Sequence, residues 1–250
     1  MKLVALITVL FTGGLLLFAT GDLPAWGNPN APASASELSQ YYITQIRETT
    51  KVPNMVTAVL ADYRGFDTMF ETVVIFVAGI GILAVLRGVA QAPLMPSVSE
   101  RYEERDMITI MTCRLVVPVL QLFALYVVAH GHHSPGGGFQ GGVMLGASFI
   151  LIGLTSGLPE ALKRMSEKRA VFLAGLGVLI YAGTGLICQF LGKNFLDYHI
   201  LHKILPATDA VMARSHAMLV VEIGVAFTVM AIMFIIYAVL SSRGRMQQGL

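Results

Sequence analysis

The chain has 250 residues, of which 55% are Ala, Val, Ile, Leu, Met, Phe, Trp, Tyr or Cys and only 13% are charged. Its mean hydropathy is +0.71, and a soluble domain carries about twice that charge fraction, so a disordered chain and an ordinary water-soluble domain are both excluded. Lys and Arg number 17 against 15 Asp and Glu, a net charge of +2 that is too balanced to recruit nucleic acid through its summed field.

A membrane span needs about 20 apolar residues. Such stretches occupy 3–20, 66–86, 107–129, 139–157, 170–191 and 217–240, which predicts an all-α polytopic membrane protein with six transmembrane helices. The first could be read as a secretory signal, because Lys2 precedes it, but its apolar run is long for a cleaved segment and a span is expected. The polar stretch 21–64 opens with a Pro/Ala/Ser-rich loop. It continues through Leu38, Tyr42, Ile46 and, beyond Pro53, Val56, Val59 and Leu60 at helical spacing, which predicts one or two amphipathic helices lying on the bilayer.

Basic residues near span ends favour the cytoplasmic side. With both termini cytoplasmic, that side holds Lys2, Arg87, Arg101, Arg105, Lys163, Arg164, Lys168, Arg169, Arg243 and Arg245. The outer side holds Arg47, Lys51, Arg64, Lys193, Lys203 and Arg214. The imbalance predicts both termini on the cytoplasmic side, and a multi-pass protein of the cell's inner (cytoplasmic) membrane is expected.

An ionisable side chain inside a span costs on the order of 3 kcal/mol unless it meets a partner or water, so Glu71, Arg114, His216 and Glu222 each need a reason. Arg114 falls roughly 10 Å inside its helix and the two carboxylates roughly 6 to 9 Å from the outer end of theirs. One reading makes Arg114 the structural ion-pair partner of a carboxylate. The other joins Asp67, Glu71, Arg114, His216 and Glu222 in a hydrated path for cations or protons. Asp67 and Thr68 also suit the cap of the second span.

The third and fourth spans are joined by His130-Gly131-His132-His133-Ser134-Pro135-Gly136-Gly137-Gly138-Phe139-Gln140-Gly141-Gly142. Gly136, Gly138 and Gly141 satisfy G-x-G-x-x-G, yet a dinucleotide fingerprint must follow a β-strand in a βαβ unit, and here it follows an apolar helix. Ser134 and Pro135 instead set a turn, and Gly138, Gly142 and Gly146 form a small-residue face for close helix packing. No metal site is expected of His130, His132, His133, His199 and His202 on so glycine-rich a frame. Cys113 and Cys188 lie in apolar stretches without C-x-x-C spacing, so no disulfide or iron–sulfur framework is offered. No haem site is expected either, and no cofactor is assigned. The chain shows no nucleophile–base pair and no phosphate loop with Lys and Ser/Thr, so it reads as non-catalytic.

These residues carry a resemblance. Arg114 and Pro118, the His-Gly-His-x-Ser-Pro-Gly-Gly-Gly-Phe motif from His130 to Phe139, and Val221-Glu222-Ile223-Gly224-Val225 resemble the B subunit of Mrp-type multisubunit Na+/H+ antiporters. The segment from Asn54 through Arg64-Gly65-Phe66-Asp67-Thr68 to Glu71 resembles the end of the A subunit of those antiporters, which is a separate small subunit in energy-converting membrane-bound hydrogenases. The likeness covers residues 1–95 and 105–245, so the chain reads as two such parts fused through a charged joint at 91–105. The resemblance implies a membrane subunit of a cation/proton antiporter module, beside other small membrane subunits. The parent is then either an antiporter alone or a redox-driven complex such as a membrane-bound hydrogenase. It draws attention to Arg64, Asp67 and Glu71 in one part and to Pro135, Gly136, Gly137, Gly138, Phe139 and Gly142 in the other. A non-conducting assembly subunit of the same kind of complex is the alternative.

Overall fold

A computed structural model describes residues 2–89, 107–205, 209–242 and 244. The joint at 91–105 lies outside them, as do Arg101, Arg105, Arg243 and Arg245. Among the described residues all regular structure is helical, and six helices have the length and composition to cross a membrane.

The chain divides into two compact units, Met1–Gln45 and Ile46–Leu250. The first holds α1 (Lys2–Ala19), a 3-10 turn at Thr20–Asp22, α2 (Pro32–Ala35) and the start of α3 (Glu37–Thr50). No residue of α1 is buried, as befits a helix whose apolar surface is meant for lipid or a neighbouring protein. The second unit continues with α4 (Met55–Ala58), a π turn at Val59–Tyr63, and α5 (Gly65–Val89). Next come α6 (Met107–His130), α7 (Gly138–Ser156), α8 (Leu158–Arg164), α9 (Glu167–Phe190), a 3-10 turn at Tyr198–Lys203, and α10 (Ala210–Ser241).

Helix α10 is the axis of this unit, packed by α9, α7 and α5. Its sides are fitted by small residues, since lipid supplies no hydrophobic drive between helices and close van der Waals approach must hold them. A Cβ on Gly142 of α7 would lie 2.9 Å from the Ala226 carbonyl, and one on Gly224 of α10 would lie 2.7 Å from the Gly177 carbonyl of α9. Thr228 adds a buried hydroxyl bond to the Ala174 carbonyl at 2.9 Å. Helix α6 touches the bundle chiefly through α7, where Gln121 Nε2 donates to Ser148 Oγ at 3.0 Å.

The sixth span begins at Ala210, seven residues before the apolar stretch that defines it in sequence. Asp209 caps it by accepting from the Met212 N–H at 2.7 Å, and Arg214 stays helical because it finds protein partners. Arg214 therefore belongs to a helix and not to an outer loop, and Glu222 lies roughly 18 Å from the helix start, deeper than expected. The polar stretch before the second span is helical as predicted, broken at Lys51–Asn54 around Pro53.

Candidate functional site

The glycine loop is tied down from one side by the segment that leads into α5. Asn54 Nδ2 donates to the carbonyls of Gly131 and Ser134, both at 2.8 Å, and the Asn54 N–H donates to the His132 carbonyl at 3.0 Å. Thr57 Oγ1 adds a second bond to the Gly131 carbonyl at 2.8 Å. Loop carbonyls that a bilayer could not solvate are thus satisfied by protein. The Nε2–H of His132 donates to the Ser215 carbonyl at 2.7 Å, while its Nδ1 is buried with no hydrogen-bond partner among the described residues. Burial pushes the His132 pKa below its ordinary value, against the opposing pull of the Ser215 carbonyl.

On its other side the loop wraps Glu222. A Cβ on Gly131 would lie 3.0 Å from Glu222 Oε2, and one on Gly137 would lie 3.0 Å from Oε1. A Cβ on Gly138 would strike the Glu222 backbone carbonyl. Gly137 also takes a φ of +123°, which only glycine adopts readily. The glycines are therefore the space into which this carboxyl fits, and the His-Gly-His and Val-Glu-Ile-Gly-Val motifs are two halves of one contact. Glu222 is 9% exposed, and its Oε2 has no hydrogen-bond partner among the described residues.

Beside it opens a cavity of about 580 Å³. Its polar lining comprises Glu71 and Thr68 from α5, Glu222 from α10, Gln140 from α7, Thr57 and Tyr181; Gly136, Gly137, Gly138 and Phe139 form one wall. The rim is braced where the π turn meets α5. Arg64 N–H bonds the Val59 carbonyl at 2.8 Å, Thr68 Oγ1 the Leu60 carbonyl at 2.8 Å, Tyr198 OH the Ala61 carbonyl at 3.1 Å and Tyr181 OH the Gly65 carbonyl at 3.0 Å. The Val59, Leu60 and Ala61 carbonyls, left over where the helix breaks, each have a donor, and the Gly65 carbonyl in the first turn of α5 gains one from Tyr181.

Of the five path residues expected from sequence, the structure brings two, Glu71 and Glu222, to this cavity. Asp67 does not cap α5 through Thr68. It pairs with Arg64 at 2.6 Å in an exposed i, i+3 contact, and the Thr68 hydroxyl is spent on Leu60. His216 is half-buried on α10 and does not line the cavity. Arg114 makes no ion pair with Glu71 or Glu222. It lies in a second cavity with Glu160 and Arg164, because it sits near the start of α6 whereas the glycine loop follows that helix's end. Pro135 lies in the loop outside the cavity wall, and Gly142 serves the packing of α7 on α10.

The buried ion pairs are formed by other residues. Asp62 accepts from Arg214, whose Nη1 also donates to His199 Nε2 at 3.1 Å and whose guanidinium lies 5.1 Å from the Tyr63 ring centre. Burial raises the Asp62 pKa above its ordinary value, while Arg214 opposes the rise. Arg87 pairs with Glu167, which is almost fully buried. These partners are 152 and 80 residues apart and lie at span ends, where a charge needs no special reason, so nothing local in the sequence links them.

Comparison with known proteins places both motifs in context. The family described as a domain related to the MnhB subunit of Na+/H+ antiporter matches residues 108–235. The MbhE family, whose members are subunits of MBH, matches residues 30–103. The antiporter subunit mnhB2 of Staphylococcus aureus (strain Newman) is 30% identical over 139 residues, 56% of this chain and 96% of that protein. The fold is shared with a chain of the membrane-bound sulfane sulfur reductase, an archaeal respiratory membrane complex. The TM-score is 0.63 with 24% identity, covering 92% of this chain and 95% of the other. It is shared equally with a chain of the Mrp complex from Dietzia sp. DQ12-45-1b, at TM-score 0.63 and 24% identity, covering 95% of this chain but 25% of that larger one.

Proposed function

The chain belongs to the family of domains related to the MnhB subunit of Na+/H+ antiporters, and from this membership we infer that it works as a membrane subunit of a multisubunit cation/proton antiporter module, beside other small membrane subunits. Its own role is non-catalytic. The parent complex is either an antiporter or a redox-driven pump, and the match to the MbhE family supports keeping the second. Matches on either side of residue 105 support reading 1–95 and 105–245 as two parts joined in one chain. The excess of Lys and Arg between and beyond the spans supports the cytoplasmic membrane, with both termini inside.

Within the module, Glu71 and Glu222 exchange protons or hold a cation in the cavity beneath the glycine loop. The observation that carries this reading is the Glu222 carboxyl: buried in a spanning helix, open to a cavity, and unpartnered at Oε2. A structural carboxylate at such depth needs a fixed basic neighbour, and among the described residues it has none. Carboxylate, hydroxyl and amide oxygens suit a hard cation.

Glu222→Gln and Glu71→Gln in an intact complex are expected to lower Na+-dependent proton exchange by inverted membrane vesicles at least about tenfold. Exchange within twofold of the parent, with assembly normal, would remove the ion path. That outcome would leave the assembly reading, which the Asn54 and Thr57 bonds to the glycine loop independently favour.

A further inference from the structure

We propose that the cavity between α6, α7 and α8 binds the phosphate headgroup of an anionic phospholipid. It lies at the end of the bundle away from Glu222, holds about 370 Å³, and is lined by Arg114, Arg164, Glu160, Thr155 and Ser156 among apolar side chains such as Ile110 and Ile152. Its carboxylate, Glu160, is already engaged by Lys163 at 3.1 Å. Arg114 and Arg164 have no acidic partner among the described residues, so the described lining carries excess positive charge.

Depth favours a lipid. Arg114 is exposed, on a helix whose neighbouring side chains Met111 and Leu115 are 58% and 74% exposed, so its surroundings are hydrocarbon or a neighbour's apolar face. Seven residues in from Met107, its Cα lies roughly 10 Å from the helix start, and its stem reaches back to the level of lipid phosphates, as buried-stem arginines do. Two planar guanidinium groups match phosphate oxygens in fork geometry. The apolar residues of the cavity then meet the first methylenes of the acyl chains.

The test uses the intact complex purified in a neutral detergent, delipidated, and titrated with phosphatidylglycerol, read by native mass spectrometry of retained lipid and by melting temperature. The parent complex is expected to retain phosphatidylglycerol, whereas Arg114→Gln with Arg164→Gln weakens retention at least about tenfold. Arg114→Lys, which keeps the charge but loses the fork, falls between them and serves if the double variant assembles poorly. Lys168→Gln, an exposed charge at the same end, is expected to change nothing. Inorganic phosphate should not reproduce the rise in melting temperature. The assignment is overturned if the double variant binds phosphatidylglycerol within twofold of the parent, if Lys168→Gln weakens retention equally, or if inorganic phosphate stabilises as well as the lipid. It is also overturned if Arg114→Gln sheds a neighbouring subunit while lipid retention stays unchanged, in which case the arginine answers a protein carboxylate.

Discussion

Helices α10 and α6 make a useful pair. Both exceed the length of a span and both are strongly apolar, yet 67% of the apolar stretch of α10 is buried in the chain against 11% of that of α6. Hydropathy puts a helix in the membrane; it does not choose its neighbours. That choice lies in the small residues, because α10 is met by Gly138, Gly142 and Gly146 from α7 and by Gly177 from α9, while α6 offers long side chains such as Leu115 and Leu122 to its surroundings. An ionisable group on each helix takes on a matching character. Glu222 is enclosed by backbone, and Arg114 stands at an exposed rim.

The sharpest way to break this contrast is to fill the glycine face. Gly142→Leu should prevent α7 from seating on α10, with a loss of at least about 3 kcal/mol, seen as failure of the full-length protein to accumulate in membranes. Gly138→Ala should do nearly as much, since its methyl meets the Glu222 carbonyl. Asn54→Ala takes the side-chain donor from the Ser134 carbonyl and leaves the Gly131 carbonyl with Thr57 alone, and should cost about 1 to 3 kcal/mol, read as a lowered melting temperature. It should also loosen the wall of the Glu222 cavity.

A smaller effect depends on pH. His132 is held neutral by burial, so its folded pKa lies below the unfolded value of about 6.5. Its contribution to stability is complete above that value and is lost as pH falls from about 6.5 through the lower folded pKa. The melting temperature should therefore decline from pH 7.5 to pH 5.5, and His132→Gln should flatten part of that slope. The smallest effect belongs to α6: Leu122→Ala, at a position 72% exposed in the parent, should change the stability of the isolated chain by no more than about 0.5 kcal/mol, read as a nearly unchanged melting temperature. In the assembled complex the same variant reports whether lipid or another subunit covers this face.

Much of the fold was legible because the spans announce themselves. The five spans beginning at α1, α5, α6, α7 and α9 start within a few residues of the apolar stretches. The start of α10 was not, since Arg214 looks like a loop residue until Asp62 and His199 are placed beside it. In the site, Glu71 and Glu222 stood out through their cost in hydrocarbon, and the glycine loop through its composition. Their meeting was hidden, because a carboxyl in the last helix and a glycine turn some 80 residues earlier share no local signal. Arg114 was as conspicuous as either carboxylate, but charge alone does not tell which end of a neighbouring helix it will face. Asn54 and Thr57 were inconspicuous for the opposite reason: short polar residues outside a span need no partner, and only the loop carbonyls reveal theirs.

The Asn54 and Thr57 bonds to the glycine loop also tie together the regions that two different families match. These bonds join residue 54 to residues 131 and 134, so they bridge the matched regions 30–103 and 108–235. When partners of this kind are separate molecules, each encounter must overcome lost translational freedom and depends on how much of each is made. Covalent continuity makes the encounter intramolecular, at an effective concentration on the order of millimolar for a short linker. One translation event then delivers the loop and its clasp in equal number, ready to close on each other before any third protein arrives.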